Sequence, residues 1–323
     1  MIVGTASSMM ALAARRRDLE MSERFSVRVP ATCANLGCLF DCAALALSLY
    51  LDLHVKLRSD GSASLHYTGV NPERVPGDSN NLVARVMGET LESWGERRGF
   101  DLEIHNQIPV GVGLGSSAAA IVGALAACHG LVDRPLFDEE LLTLATLREG
   151  HPDNVAAAWH GGFTVAVDEG ERVLAFSCPV PADLELVLVI PNYALATEAA
   201  RAVLPSQYSR ADAIYNLQRA TVLAAQFFSG KTDFHAELFA DRWHQPYRAA
   251  LVPGLSEVLG TRHPDVLGIC LSGAGPSILA FVRANAALVG ESIRQTLTQH
   301  GVEAQAYVLA ADNRGAKGWN LPG

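Results

Sequence analysis

The segment that most constrains this chain is Pro109-Val110-Gly111-Val112-Gly113-Leu114-Gly115-Ser116-Ser117-Ala118-Ala119-Ala120. Glycines at alternate positions let the backbone curl tightly and approach a ligand closely. The alanine-rich stretch behind them predicts a helix from about Ser117 to His129, stopped by Gly130. Such a helix offers unpaired N–H groups and the positive end of its dipole to an anion, and Ser116 and Ser117 can add hydroxyl donors. The loop lacks the Gly-Lys-Ser/Thr ending of a Walker P-loop, and Ser116 breaks the spacing of a dinucleotide GxGxxG. Lysine occurs only at Lys56, Lys231 and Lys317. The charge of a bound phosphate would therefore have to be met by amides, arginine and a metal ion. Taken alone, the segment is either a phosphate cradle or a glycine-rich turn before a core helix.

Two further strings have the same small-residue character. Val29-Pro30-Ala31-Thr32-Cys33-Ala34-Asn35-Leu36-Gly37 precedes Phe40-Asp41, and Leu271-Ser272-Gly273-Ala274-Gly275-Pro276-Ser277 lies near the C-terminus. Both read as loops, and three such loops are hard to explain as independent turns. Around them, Leu45 to Leu57 alternates with polar positions and predicts a long half-exposed strand, with Ala63–Tyr67 pairing back onto it across Asp60-Gly61. Helices are expected at 80–98, 139–148, 197–203, 211–228 and 286–300, and strands at 101–105, 163–167, 173–176, 184–190, 266–271, 277–282 and 304–309. Asp153-Asn154 could cap a helix over Val155–Trp159. The mixture reads as α+β.

Composition narrows the function classes. A chain of 323 residues, 49% hydrophobic, can bury a large core, and its length favours two domains. A net charge of −9 with no long basic run argues against nucleic acid. No apolar run reaches the ~18–20 residues that span a bilayer, so no membrane role is expected. The arginines at 15–17 follow rather than precede the apolar start of the chain, the reverse of a secretory signal, so residues 1–22 read as a disordered extension. Six cysteines without a CxxC pair read as packed, reduced thiols in a cytoplasmic protein. Cys33, Cys38 and Cys42 lack the tighter pairs and partner histidines of a zinc site.

In order, the three small-residue strings resemble the three motifs of the GHMP kinases, the superfamily of galactokinase, homoserine kinase and mevalonate kinase. The resemblance covers roughly Phe25 to Leu309. Glu149-Gly150-His151-Pro152-Asp153-Asn154-Val155-Ala156, Thr197–Pro205 and Pro246-Tyr247-Arg248 resemble the homoserine kinase branch. The first motif departs from the family pattern, with Cys33 for serine and Cys38-Leu39 for Pro-Gly, while Asn35 and Asp41 are kept.

The resemblance implies a GHMP kinase fold: a ribosomal-S5-like N-terminal ATP-binding domain over 23–175, a ferredoxin-like C-terminal domain over 176–315, and a tail at 316–323. It implies phosphorylation of the L-homoserine hydroxyl by ATP with Mg²⁺, on the route to threonine, in the cytoplasm; a homodimer is left open. Gly113, Gly115, Ser116 and Ser117 would bind the ATP phosphates, Pro109, Gly111 and Leu114 would complete the ATP-binding loop, and Asn81 would lie near the adenine. Glu149 and Ser117 would hold Mg²⁺. Asn35, Asp41, His151 and Asn154 would line the homoserine site, Asp41 for the ammonium, and Arg201 and Arg248 would take the carboxylate. The catalytic set is Glu149, Ser117 and Asn154. Other members of the superfamily place an aspartate where this chain has Asn154, and asparagine cannot act as a base. A strong base is optional in phosphoryl transfer, which depends on positioning and charge neutralisation.

The residues are also legible without the resemblance. Glu149 ends a helix, where the dipole disfavours negative charge, so it is either solvated or compensated by a cation such as Mg²⁺. Arg201 lies on a helix of small apolar residues and is either exposed or aimed at an anion, and a guanidinium fork suits a carboxylate. The rival readings are a GHMP kinase for shikimate, mevalonate or a sugar, and a GHMP-fold sensor without catalysis.

Overall fold

The computed structural model describes residues 24–132 and 137–318. The expectations for the 1–22 extension and for residues 319–323 lie outside the described residues. The first sheet is built on β1 (Arg24–Ala34) and β2 (Ala43–Arg58), an antiparallel pair. β1 consumes most of the first small-residue string, so Val29–Ala34 is strand and the loop proper starts at Asn35. β2 alternates as its sequence predicts only from Leu53 on, where His54 and Lys56 face solvent. Ala43–Leu47 is buried on both faces, with Ala44 against Ala157 and its neighbours Ala43, Leu45 and Leu47 in the main core.

β3 (Ala63–Gly69) does not pair with β2. It runs parallel to β4 (Gly99–Asn106), which sits between the two. Leu102 and Ile104 make β4 the more apolar partner for Leu53 and Val55, so it takes the inner place and the largely exposed β3 becomes an edge. β5 (Phe163–Asp168) and β6 (Val173–Cys178) complete the sheet in the order β3-β4-β2-β5-β6, with β1 along the other edge of β2.

Four helices cover this sheet: α1 (Leu82–Ser93), α2 (Ser116–Leu131), α3 (Asp138–Glu149) and α4 (Pro152–His160). α2 is apolar on nearly every side because it is enclosed by β1, α1, α3 and α4. It does not stop at Gly130, whose missing side chain instead makes room for the Phe25 ring.

The second sheet is antiparallel, in the order β10-β7-β9-β8, from β7 (Glu185–Pro191), β8 (Val266–Leu271), β9 (Ile278–Val282) and β10 (Ala304–Leu309). α5 (Thr197–Ala202), α6 (Arg210–Phe228), α7 (Gln245–Arg248) and α8 (Leu255–Leu259) lie in the first crossover, and α9 (Ala286–Gln299) in the second. This is the ferredoxin-like split βαβ arrangement.

An aromatic cluster joins the two sheets. Phe163 of β5 stacks on Phe227 of α6 at 4.1 Å, and Phe227 leads through Phe234 and Phe239 to Phe281 of β9. The C-terminal segment returns to the first sheet, where Asp312 N–H donates to Ala46 O and α10 (Gly315–Gly318) packs on α4. By sheet membership the first unit reaches Cys178 rather than residue 175 and reclaims residues 311–318. Of the cysteines, Cys33, Cys38, Cys128 and Cys270 are buried free thiols, whereas Cys42 is exposed and Cys178 half-buried, contrary to the packed reading. No helix among the described residues is long and apolar enough to cross a membrane.

Candidate active site

The three small-residue loops meet at the junction of the sheets and are tied by direct hydrogen bonds. Thr32 N–H donates to Leu114 O, Gly273 N–H to Ala34 O and Ser277 N–H to Val112 O. Ser272 Oγ donates to Gly113 O at 2.7 Å. Asn35, in the left-handed region at φ 72°, accepts the Asp41 N–H on Oδ1 and donates Nδ2–H to Gly273 O. Gly115, at φ 64°, precedes α2 and has no side chain to cap it, so the first N–H groups of the helix remain for an anion.

A cavity of about 420 Å³ runs over this junction. One end is lined by Tyr67, Pro76, Leu82 and Ile104, the middle by Gly111 and Gly113 to Ser117, and the far end by Asp41, Asn154, Arg201 and Arg248. Pro109 is not part of this lining. Asn81 lines the cavity, but its side chain is committed to capping α1. Oδ1 accepts from Val83 and Ala84 N–H, and Nδ2 donates to Pro76 O.

Glu149 is not a solvated helix end. Its side chain is 9% exposed and accepts a 2.7 Å hydrogen bond from Ser117 Oγ, across 32 residues of sequence. Burial pushes its carboxyl up, against the opposing effects of the Ser117 hydrogen bond and the His151 charge. A buried carboxylate beside a hydroxyl is a hard oxygen donor set that fits Mg²⁺.

His151 caps α4 in extended conformation with Pro152 at the first helical position. Asp153 and Asn154 therefore sit inside the first turn rather than capping it. Asp153 Oδ1 accepts the Asn154 N–H at 2.6 Å and meets His151 Nδ1 at 2.7 Å. Burial works to lower the His151 pKa, but the Asp153 hydrogen bond and the charges of Asp153 and Glu149 raise it on balance. Asn154 Oδ1 accepts a 2.6 Å hydrogen bond from Thr32 Oγ1, both groups being buried.

At the far end Arg201 holds Asp41 through two 2.9 Å hydrogen bonds. Arg248 is 2% exposed. Its Nε donates to Ala200 O and its Nη1 to Gly273 O. Burial first, then the charge of Arg201, lowers its pKa to about 10, so it stays protonated at neutral pH. The cavity also takes in Asp153 and Arg74, which sequence reasoning left out of the site, and Thr32 stands directly behind it. Thr32 carries no signal of its own beyond its place in the first string, since its partner is 122 residues away.

Residues 81–162 match the family model for the GHMP kinases N terminal domain, and residues 231–299 that for the GHMP kinases C terminal domain. Fold and site together define a GHMP kinase. The chain is 39% identical over 292 residues to a homoserine kinase of Moorella thermoacetica, covering 90% of this chain and 98% of that one. It is 41% identical over 293 residues to a homoserine kinase of Desulfitobacterium hafniense, at 90% and 98% coverage. The crystal structure of homoserine kinase from Cytophaga hutchinsonii superposes with a TM-score of 0.80 at 27% identity, covering 91% of this chain and 96% of that one. The chain belongs to the homoserine kinase family.

Proposed function

We propose that this site transfers the γ-phosphoryl group of ATP to the hydroxyl of L-homoserine, giving O-phospho-L-homoserine and ADP, with Mg²⁺ held by Glu149 and Ser117. The observation that carries this reading is one cavity with an anion-binding helix start at its middle and both a carboxylate and two guanidinium groups at one end. Asp41 matches an α-ammonium, and Arg201 and Arg248 match an α-carboxylate. A neutral sugar or a mevalonate-type acid would leave at least one of these charges unmatched.

The glycine loop and the start of α2 receive the phosphates, and the end bounded by Tyr67, Leu82 and Ile104 suits an adenine. Glu149 and Ser117 would hold Mg²⁺, which would supply neutralisation of the phosphate charge. The amino-acid end holds the substrate by groups remote from the reacting hydroxyl, so binding energy positions that hydroxyl against the γ-phosphorus. Asn154 is not a base, Asp41 is engaged by the substrate ammonium, and Asp153 is engaged by His151 and the Asn154 N–H. The hydroxyl proton therefore passes to phosphate or water. Both substrates are intracellular metabolites, and we place the reaction in the cytoplasm.

The test is an ADP-release assay with Mg²⁺ across L-homoserine, shikimate, mevalonate and galactose. Homoserine is expected to be turned over best by a wide margin, and equal or better activity with a non-amino-acid alcohol overturns the assignment.

A further inference from the structure

His244 belongs to none of the three loops and does not line the cavity, yet it is 0% exposed and touches both halves of the amino-acid end. Its Nε2 lies 2.8 Å from Gly37 O, in the loop that carries Asn35 and Asp41. Its Nδ1 lies 3.1 Å from Nη1 of Arg248. Phe40 of the same loop stacks on the imidazole at 5.2 Å. The guanidinium groups of Arg248 and Arg201 lie over the Phe40 ring at 5.4 and 5.7 Å.

The partners assign the tautomer. A carbonyl oxygen only accepts, so Nε2 carries the hydrogen toward Gly37 O. Nδ1 is then bare in a neutral imidazole and accepts from Arg248. Neutrality agrees with the surroundings, since burial first, and then the charge of Arg248, lowers the His244 pKa against the opposing charge of Asp241. Asp241 is 3.6 Å from Nε2, and its oxygens are taken by Asn216 Nδ2 and by the Trp243, His244 and Gln245 N–H groups.

We propose that His244 is a positioning residue for substrate recognition, a neutral acceptor that aims Arg248 at the substrate carboxylate and locks the Gly37 loop beside it. The inference rests on the carboxylate role assigned to Arg248 above. Arg248 is oriented by acceptors without charge: Ala200 O, Gly273 O and His244 Nδ1. A carboxylate in place of His244 would orient the guanidinium equally well but neutralise it, and the substrate would then compete with a built-in anion. A neutral ring leaves the positive charge for the ligand. The same ring, through Nε2–H and its stack on Phe40, joins the Arg248 helix to the loop that presents Asp41, so the groups for the two ends of a zwitterion share one support.

The experiment uses steady-state kinetics of the full chain with L-homoserine and with 3-amino-1-propanol, which has the same hydroxyl and ammonium but no carboxylate. In His244→Asn the Oδ1 can still accept from Arg248. In His244→Gln the amide reaches toward Gly37 O and the Arg248 contact is lost. The Gln variant is expected to raise KM for homoserine about ten- to a hundredfold, as for loss of one hydrogen bond to a charged group. KM for ATP and turnover of 3-amino-1-propanol should not change, and the Asn variant should recover most of the preference for homoserine. Equal losses on both alcohols, a raised KM for ATP, or an Asn variant as impaired as the Gln variant would overturn the proposal. If the Gln variant does not fold, the Asn variant decides: retained preference for homoserine supports the role and lost preference refutes it. A wild-type chain inactive on homoserine would instead sink the proposed function itself.

Discussion

Arg201 and Asp41 come from different halves of the chain and are joined fork to carboxylate, Nη1 to Oδ2 and Nη2 to Oδ1, at 2.9 Å each. Each group is also the complement of one charge of an amino acid. A bound zwitterion can take over both, its carboxylate replacing Asp41 at Arg201 and its ammonium replacing Arg201 at Asp41. A ligand with only one of the two charges leaves one member of the pair uncompensated.

Arg201→Ala is therefore expected to lower kcat/KM for homoserine while ATP affinity measured without homoserine is unchanged. The side chains are 38% and 33% exposed, so solvent screens the pair. The expected loss is about ten- to a hundredfold, the range for a hydrogen bond to a charged group. Wild-type kinetics with homoserine would show that Arg201 serves no substrate carboxylate.

Arg248→Ala should behave differently, although sequence alone treats the two arginines alike. It strips partners from the buried acceptors Ala200 O, Gly273 O and His244 Nδ1. Breaking such a buried network costs about 3 kcal/mol or more. Thermal melting should show a large fall for Arg248→Ala and little change for Arg201→Ala. Equal melting temperatures would contradict the support role drawn for Arg248.

Glu149→Gln separates function from stability. The folded state raises the Glu149 pKa by burial, so the protonated form is favoured. The stability this contributes is present below the ordinary glutamate pKa and lost as pH rises through the raised one. Ionising this side chain is thus a burden on the fold. A neutral amide that still accepts from Ser117 should leave the melting temperature equal or higher. Turnover should fall by about a hundredfold or more, since a metal ligand supplies several kcal/mol of charge stabilisation. Proton competition should also raise the Mg²⁺ requirement of the wild type at a higher pH than for an exposed glutamate. Full activity of the variant at sub-saturating Mg²⁺ would remove Glu149 from the metal site.

Thr32→Val deletes the hydroxyl that fixes Asn154 and nearly preserves volume. Leaving Asn154 Oδ1 buried without a donor costs about 1–3 kcal/mol. We expect kcat to fall while KM for ATP holds, with Thr32→Ser restoring most of the rate. If Ser and Val variants are equally impaired, the hydroxyl is not what matters at this position.

Gly115→Ala tests the phosphate cradle. Gly115 adopts φ 64°, and a Cβ there would run into Thr32 Oγ1. The substitution should raise KM for ATP and lower the melting temperature together. An alanine variant with unchanged ATP kinetics would mean that the loop does not hold the phosphates in this conformation.

Much of the site was legible because it is made of local strings. Gly113 to Ser117, then Glu149, His151 and Asn154, and Asp41, Arg201 and Arg248 all reach the cavity lining. What the string could not show is which polar atoms are already committed. Asn81 reads as a residue near the adenine and its side chain is also committed to a helix cap, and Arg248 reads as a free carboxylate binder and is also a buried strut.

Local pattern by itself determined the α+β class, most helices and strands and the central and C-terminal small-residue loops, because these depend on side-chain period and on backbone freedom within a few residues. Tertiary structure alone decided the partner of β3, the double burial of Ala43–Leu47 and the running of α2 past Gly130 to seat Phe25. It alone brought Ser117 to Glu149, Thr32 to Asn154, Arg201 to Asp41 and His244 to Gly37. Each of the last group is a contact between polar atoms on different elements. Its partner is set by how elements distant in sequence pack on one another, a long-range property that the period of hydrophobic residues in one segment does not encode.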